Sequence, residues 1–325
     1  MKAVLVDERN QDLYIGDVKD PIPTEGELLV KVKATAINRA DLLQRKGLYP
    51  PPPGASNILG LEMAGVVEGV GSGVTGWTEG DHVYALLPGG GYAEKVVIPA
   101  EMAMKIPDGM SFEEAAAVPE AFLTAFLNMV ELGHLQSGEH VLIHAGASGV
   151  GTAAIQIAKE LGATSIVTAG SADKLDRCLA LGANYTVNYK EEDFSKKVYA
   201  VTNGSGVQLI LDFIGASYWD ANIKSIGIDG RWILIGVLGG QQLANVNLGV
   251  FLQKRIQFIG SSLRSTSKSF KSELTRKFEA FSNEKFANGK LAPIIDRVYE
   301  WQDVAAAHQY MQENRNIGKI VLKVE

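Results

Sequence analysis

From residue 140 onward, short apolar runs alternate with runs of helical spacing. Residues 141–145 read as an apolar strand, and 150–161 read as a helix that stops at Gly162. Residues 165–169 give a second strand, and 172–181 a helix that stops at Gly182. Strands at 185–188, 208–213, 231–236 and 256–261 follow, with a helix over 218–226. Strands that are apolar throughout, without alternation, have no face for water. Interleaved with helices, they predict a parallel sheet covered on both sides.

The chain has 325 residues, too long for one small core, and a prior of roughly 150 residues per domain suggests two. The first hundred residues carry short β-like runs at 2–6, 27–34, 65–70, 82–84 and 93–98. Glycine- and proline-bearing turns at 21–26, 71–76, 88–91 and 107–109 separate them, the pattern of a β-rich barrel or sandwich-like unit. Four consecutive prolines, Pro50 to Pro53, follow Tyr49; they supply no N–H donors, so 49–54 is expected to be an ordered strap. Ser111 followed by Glu114 is a capping box that opens an alanine-rich helix. Near the end, 269–287 reads as an amphipathic helix, and strands at 293–299 and 319–324 flank a helix over 302–314. This tail leaves the alternation and is expected to return to the first domain. The predicted domains are therefore 1–121 with 293–325, and 122–292.

Several function classes are excluded early. The formal net charge is −6, with no basic stripe, which gives no reason to expect nucleic acid. No run of about 18 apolar residues predicts a membrane span. The N-terminal residues lack a secretory pattern, and the single cysteine, Cys178, fits a reducing compartment; a cytoplasmic protein is expected. One cysteine and five scattered histidines (His82, His134, His140, His144 and His308) offer no zinc site, so no metal is expected. Nucleophile-elbow and Walker motifs are absent. Asp41 and Glu62 read as two isolated carboxylates.

The joint between the strand at 141–145 and the helix at 150–161 reads HAGASGVGTAA. Ala145, Gly146, Ser148, Gly149, Val150 and Gly151 form a glycine-rich turn where backbone N–H groups can approach a pyrophosphate at a helix N-terminus. Gly146 and Gly151 fit the first and third glycines of G-x-G-x-x-G; Ser148 holds the second. The end of the next strand discriminates the dinucleotide. A site for NAD places an acid there to accept from the ribose hydroxyls. Here Gly170 and Ser171 stand instead, Lys174 lies one turn into the next helix, and only Asp173 could be read as a displaced acid. NADPH is the expected cofactor, with Lys174 pairing with its 2′-phosphate.

Several long segments resemble the zinc-independent quinone oxidoreductases of the medium-chain dehydrogenase/reductase superfamily, closest to the tumour-suppressor-inducible branch. They are Asn38–Arg39–Ala40–Asp41 with Gln44, Arg45, Gly47 and Tyr49, then PPPGASNILG at 51–60, ALLPGGG at 85–91, PEAFLTAF at 119–126, the glycine turn, DGRW at 229–232 and NIGKIVL at 316–322. Where zinc alcohol dehydrogenases carry Gly-His-Glu, this chain has Gly60–Leu61–Glu62. The resemblance implies a β-rich GroES-like catalytic domain and a Rossmann-type, doubly wound parallel-sheet cofactor domain. Asn38, Asp41 and Tyr49 would line the cleft beside the nicotinamide, and Thr124 would open the cofactor domain. Lys174 and Tyr189 would hold the 2′-phosphate and adenine; Ser171 joins that group. Gly236, Val237, Ser262, Leu263 and Arg264 would lie along the cofactor, and Asn314 would approach from the returning tail.

The implied reaction is direct hydride transfer from nicotinamide C4 to a quinone, which needs orientation and a dry surface more than an acid or base. Tyr49 and Asn38 are expected to border the quinone, with Phe126 or nearby loops adding apolar surface. One alternative is reduction of α,β-unsaturated aldehydes or ketones, where Tyr49 or a water must deliver a proton to the α-carbon. Another is a non-catalytic NADPH-binding structural or RNA-binding protein. The resemblance also implies a homodimer paired through the edge strand at 256–261.

Overall fold

The computed structural model describes residues 1–324. The chain divides into two compact units, Met1–Leu123 with Arg264 onward, and Thr124–Leu263. The first unit opens with an antiparallel pair, Lys2–Val6 (β1) and Leu13–Asp17 (β2). Its long strand Glu27–Ile37 (β3) buries Leu28, Val30, Val32 and Ala34 at every second position, as a strand with one face on a core must. The helix Arg39–Arg45 (α1) starts directly after it. Then come Glu62–Val70 (β4), His82–Leu86 (β5), Lys95–Pro99 (β6) and Ala103–Lys105 (β7). Helix Phe112–Ala116 (α2) begins at the Ser111–Glu114 capping box. Helix Pro119–Phe126 (α3) carries the chain from the first unit into the second.

In the second unit the expected alternation is present: His140–Ile143 (β8), Gly149–Glu160 (α4), Thr164–Ala169 (β9), Ala172–Ala180 (α5), Tyr185–Asn188 (β10), Phe194–Val201 (α6), Val207–Asp212 (β11), Trp219–Ser225 (α7), Ile226–Leu234 (β12), Gly249–Lys254 (α8) and Gln257–Gly260 (β13). All pairings in this sheet are parallel, in the order β10-β9-β8-β11-β12-β13. That is the dinucleotide-binding arrangement, with its topological switch between β8 and β11. Leu142, Ile166, Val187, Ile210 and Trp232 fill one core of this unit.

The return to the first unit comes at Arg264, earlier than the predicted 293. Helix Lys268–Ala287 (α9) belongs to that unit, not to the cofactor domain. It buries Leu274, Phe278 and Phe286 on one face, with the last two rings 6.3 and 5.4 Å from Phe122 in α3. The amphipathic spacing announced a buried stripe without saying what would cover it. Ile295–Glu300 (β14), Val304–Gln312 (α10) and Lys319–Lys323 (β15) complete the unit. Its sheet runs β14-β15-β3-β4-β5-β7, with β6 also on β3. Strand β15 lies antiparallel to β3, placing Ile320 opposite Ile37. Among the described residues, no helix is long and apolar enough to cross a membrane.

Candidate functional site

The turn after β8 is built around close approaches. A Cβ on Gly146 would lie 1.9 Å from Val167 Cγ1, and one on Gly151 would lie 2.4 Å from the Ala145 carbonyl oxygen. Only glycine fits at either place. Ala145 adopts a left-handed φ of 50°, a strained conformation for a side-chain-bearing residue. Ser148, which breaks the glycine fingerprint, has its own use: its Oγ accepts from Gly151 N at 3.0 Å and caps α4. Thr152 N closes on Ser148 O. The first helical N–H groups, those of Gly149 and Val150, donate to nothing among the described residues and face the end of the helix where an anion is favoured.

Beneath this turn lies a network that sequence reasoning did not find. His144 is fully buried at the end of β8. Asp212, at the end of β11, accepts from Ile214 N, Gly215 N, Trp232 Nε1 and Asn222 Nδ2. The Asn222 amide therefore turns its Oδ1 to His144 Nε2 at 2.8 Å, which makes Nε2 the protonated ring nitrogen. Thr168 Oγ1 stands 3.0 Å from Nδ1. Burial lowers the His144 pKa and keeps the ring neutral. The network fixes the two strand ends that flank the switch point.

At the end of β9, a Cβ on Gly170 would lie 2.8 Å from the Tyr189 hydroxyl. A side chain there would require the Tyr189 ring, itself exposed, to shift. Tyr189 N donates to Ala169 O at 3.2 Å, so β10 delivers Tyr189 to the same strand end. Ser171 is the N-cap of α5, yet its hydroxyl makes no capping bond, and Lys174 is half-buried in the first turn of that helix. Ser171, Lys174 and Tyr189 thus share one end of the sheet. Gly236 follows β12, where a Cβ would lie 3.1 Å from Phe213 O, and Val237 beside it is exposed. Thr124 is the first residue of this unit, and its carbonyl accepts from Asn128 Nδ2. Leu263 is buried at the unit's end, next to Ser262. Phe126, expected to add surface for an acceptor, is instead buried at 3% exposure.

In the first unit, Asp41 and Glu62 are not isolated. Glu62 Oε1 accepts from Asn38 Nδ2 at 2.7 Å and from Lys319 Nζ at 2.7 Å, and its Oε2 accepts from Glu120 N at 2.8 Å. Lys319 Nζ also donates to Asn38 Oδ1 at 2.6 Å and to Ile37 O at 3.3 Å. Asp41, fully buried, accepts from Asn38 N at 2.7 Å, Gly60 N at 3.1 Å and the Tyr92 hydroxyl at 3.3 Å. Burial raises its pKa to about 6, against the pull of those donors. The Tyr92 hydroxyl is also 3.2 Å from Nε2 of buried His308, whose Nδ1 has no partner and whose pKa burial lowers to about 3. Asp41 therefore acts as an internal hydrogen-bond acceptor rather than a side chain open to substrate. Lys319, Glu120, Tyr92 and His308 were given no role from the sequence, because only the folded unit brings them together.

Tyr49 is half-buried, and the Arg264 guanidinium carbon sits 5.0 Å from its ring centroid. Arg264 is the first residue of the segment that returns to the first unit. Asn314, with a left-handed φ of 56°, accepts from Arg39 Nη2 at 2.7 Å. Among the described residues, no group of three or more His, Cys, Asp or Glu side chains is arranged to hold a metal ion.

Two family models match the chain. Residues 149–280 match the zinc-binding dehydrogenase family, and 24–108 match the alcohol dehydrogenase GroES-like domain. A quinone oxidoreductase of Salmonella typhimurium is 36% identical over 308 residues, 92% of each chain. The synaptic vesicle membrane protein VAT-1 homologue of Danio rerio is 32% identical over 94% of this chain, which spans 66% of that relative's length. Among solved structures, an NAD-dependent alcohol dehydrogenase superposes with a TM-score of 0.88 at 34% identity over all of both chains. A mycobacterial protein solved with NADPH does so with 0.88 at 29%, again over all of both chains. The CurK enoyl reductase gives 0.88 at 28%, over 100% of this chain and 99% of its own. The GroES-like unit, the parallel sheet with its glycine turn, and relatives sharing a third of their residues end to end make this chain an oxidoreductase of the quinone oxidoreductase family in the medium-chain dehydrogenase/reductase superfamily.

Proposed function

We propose that the chain is an NADPH-dependent quinone oxidoreductase that works in the cytoplasm as a homodimer. The observation that carries the cofactor choice is the end of β9. Gly170 and Ser171 stand there in place of a ribose-binding acid, and Lys174 stands one turn away. The open N–H groups of Gly149 and Val150 suit the pyrophosphate. The bound nicotinamide would supply the hydride. The protein's own part is to hold a flat acceptor beside Tyr49 and Asn38. Asn38 is rigid in that role, because its amide is tied to Glu62 and Lys319.

Reduction of α,β-unsaturated carbonyls is the second reading, supported by the likeness to an enoyl reductase over the whole chain. Steady-state kinetics with NADPH and NADH against ortho- and para-quinones and against enals separate the two. Quinones should give the higher kcat/KM; faster enal turnover would remove the quinone assignment. In the same assay Lys174→Ala should raise the KM for NADPH by about tenfold while moving that for NADH little, because it removes one charge-assisted contact to the 2′-phosphate. An equal effect on both nucleotides would refute the phosphate role.

The homodimer proposal rests on the edge of the second unit's sheet. Strand β13 is last in the order and has one unpaired side. Phe258 on this strand is exposed, as are Val246, Leu248 and Leu252 in the stretch of chain just before it and Ile228 on the neighbouring β12. An open strand edge flanked by such a patch is suited to pairing with its own copy.

A further inference from the structure

We propose that Arg264 is the positioning residue for Tyr49 and thereby sets acceptor affinity. The inference rests on the reading of Tyr49 as the acceptor's neighbour. The starting point is the strap that follows Tyr49. Its prolines, Pro50 to Pro53, have no N–H groups, so the segment cannot secure itself through its own backbone. The bonds donated by N–H groups just after the prolines are local: Ala55 N to Pro52 O at 3.0 Å and Ile58 N to Ser56 Oγ at 3.1 Å. Before Tyr49 the backbone is held by Leu48 N on Leu43 O at 2.9 Å; from Tyr49 onward the hold comes from side chains elsewhere.

Arg264 supplies them. Its Nε and Nη2 donate to Pro88 O at 3.0 and 2.7 Å, Nη2 also donates to Gln44 Oε1 at 2.7 Å, and Nη1 donates to Tyr49 O at 3.3 Å. The guanidinium carbon also lies over the Tyr49 ring, 5.0 Å from its centroid. The residue is 8% exposed, and Lys271 Nζ holds its carbonyl at 2.8 Å. Gln44 passes the restraint on: its Nε2 donates to Asn57 O at 3.2 Å, while Gly90 N, next to the Pro88 loop, donates to Ile58 O at 2.8 Å. One guanidinium therefore ties the end of α1, both ends of the strap and the loop after β5. A planar fork with five donors can make this many directed bonds; an ammonium cannot. The Tyr49 ring meets the guanidinium and, being only half-buried, keeps exposed surface for a flat acceptor.

The test uses the full-length protein and the variants Arg264→Ala, Arg264→Gln and Arg264→Lys. Each is followed by quinone kinetics at saturating NADPH, by NADPH titration and by amide deuterium exchange. Arg264→Ala and Arg264→Gln should raise the acceptor KM by about tenfold with kcat changed far less, as expected on losing a contact that holds the site before and during reaction. The NADPH Kd should stay within about twofold, and Arg264→Lys should recover only part of the KM. Exchange at Leu48, Ala55 and Gly90 should quicken in both neutral variants. Weakened NADPH binding with an unaltered acceptor KM and unaltered exchange would overturn the proposal and return Arg264 to the cofactor. A wild-type protein that turned over no quinone would instead remove the proposed function; the exchange data would still decide whether Arg264 holds the strap.

Discussion

At the scale of single residues, Lys319 carries the sharpest energetic consequence. Its ammonium and the Glu62 carboxylate are both almost fully buried, at side-chain exposures of 4% and 0%. Removing one partner strands the other's charge in a low-dielectric interior, which costs about 3–5 kcal/mol. Lys319→Met should lower the unfolding free energy by that amount in urea titrations, and adding Glu62→Gln to it should recover a large part. If the double variant were no more stable than the single, the loss would come from packing and not from the stranded charge. This pair also shows why part of the site was hidden in the sequence. Gly146, Gly151, Ser171 and Lys174 lie within one strand–helix–strand unit, so their spacing alone brings them together. Glu62 and Lys319 are 257 positions apart and meet only through the register of β15 on β3. No local pattern marks either one.

Among elements, the strands and helices of the second unit follow their apolar periodicities closely, because each strand is buried by helices next to it in sequence. Helix α9 is the contrasting case. Its amphipathic spacing was legible over 269–287, but which unit its buried face covers was not, since a stripe does not name its partner. The edge strand β13 was legible as the last in its sheet. If it pairs with its copy, the α8 residue Leu252, at 83% exposure, is a suitable probe, because its side chain supports little within its own chain. Leu252→Asp should shift the protein from dimer to monomer in light scattering at micromolar concentration, with an unchanged circular dichroism spectrum. A wild-type monomer, or a variant that stays dimeric, would argue against this patch as the interface.

For the molecule as a whole, two raised carboxyls shape the dependence of stability on pH. Burial raises Asp41 from 3.8 to about 6; burial, and then the Glu62 charge, raises Glu120 from 4.5 to about 8. A raised carboxyl binds its proton more tightly folded than unfolded. Its stabilising contribution is complete below the unfolded pKa and is lost as pH rises through the folded one. Asp41 therefore withdraws support between about pH 4 and 6, and Glu120 between about pH 4.5 and 8. Melting temperature should fall from pH 5 to pH 8 in the wild type. Glu120→Gln should fall less and be the more stable protein at pH 8, with the two nearly equal at pH 5. Parallel curves would show that Glu120 titrates normally.

The discontinuous first unit has a consequence for how the chain is made. The second unit is one continuous stretch, Thr124–Leu263, and can close as soon as it has left the ribosome. Strands β3 and β4 emerge well before it, yet β3 lacks its neighbour β15, and Glu62 lacks its counter-ion, until the last residues have been translated. At roughly 5–20 residues per second, these early strands wait for ten seconds or more with an open edge and an unpaired carboxylate. During that interval the nascent N-terminal segment is a natural client for holding chaperones, and a chain truncated before residue 319 should be recognised as unfinished and degraded.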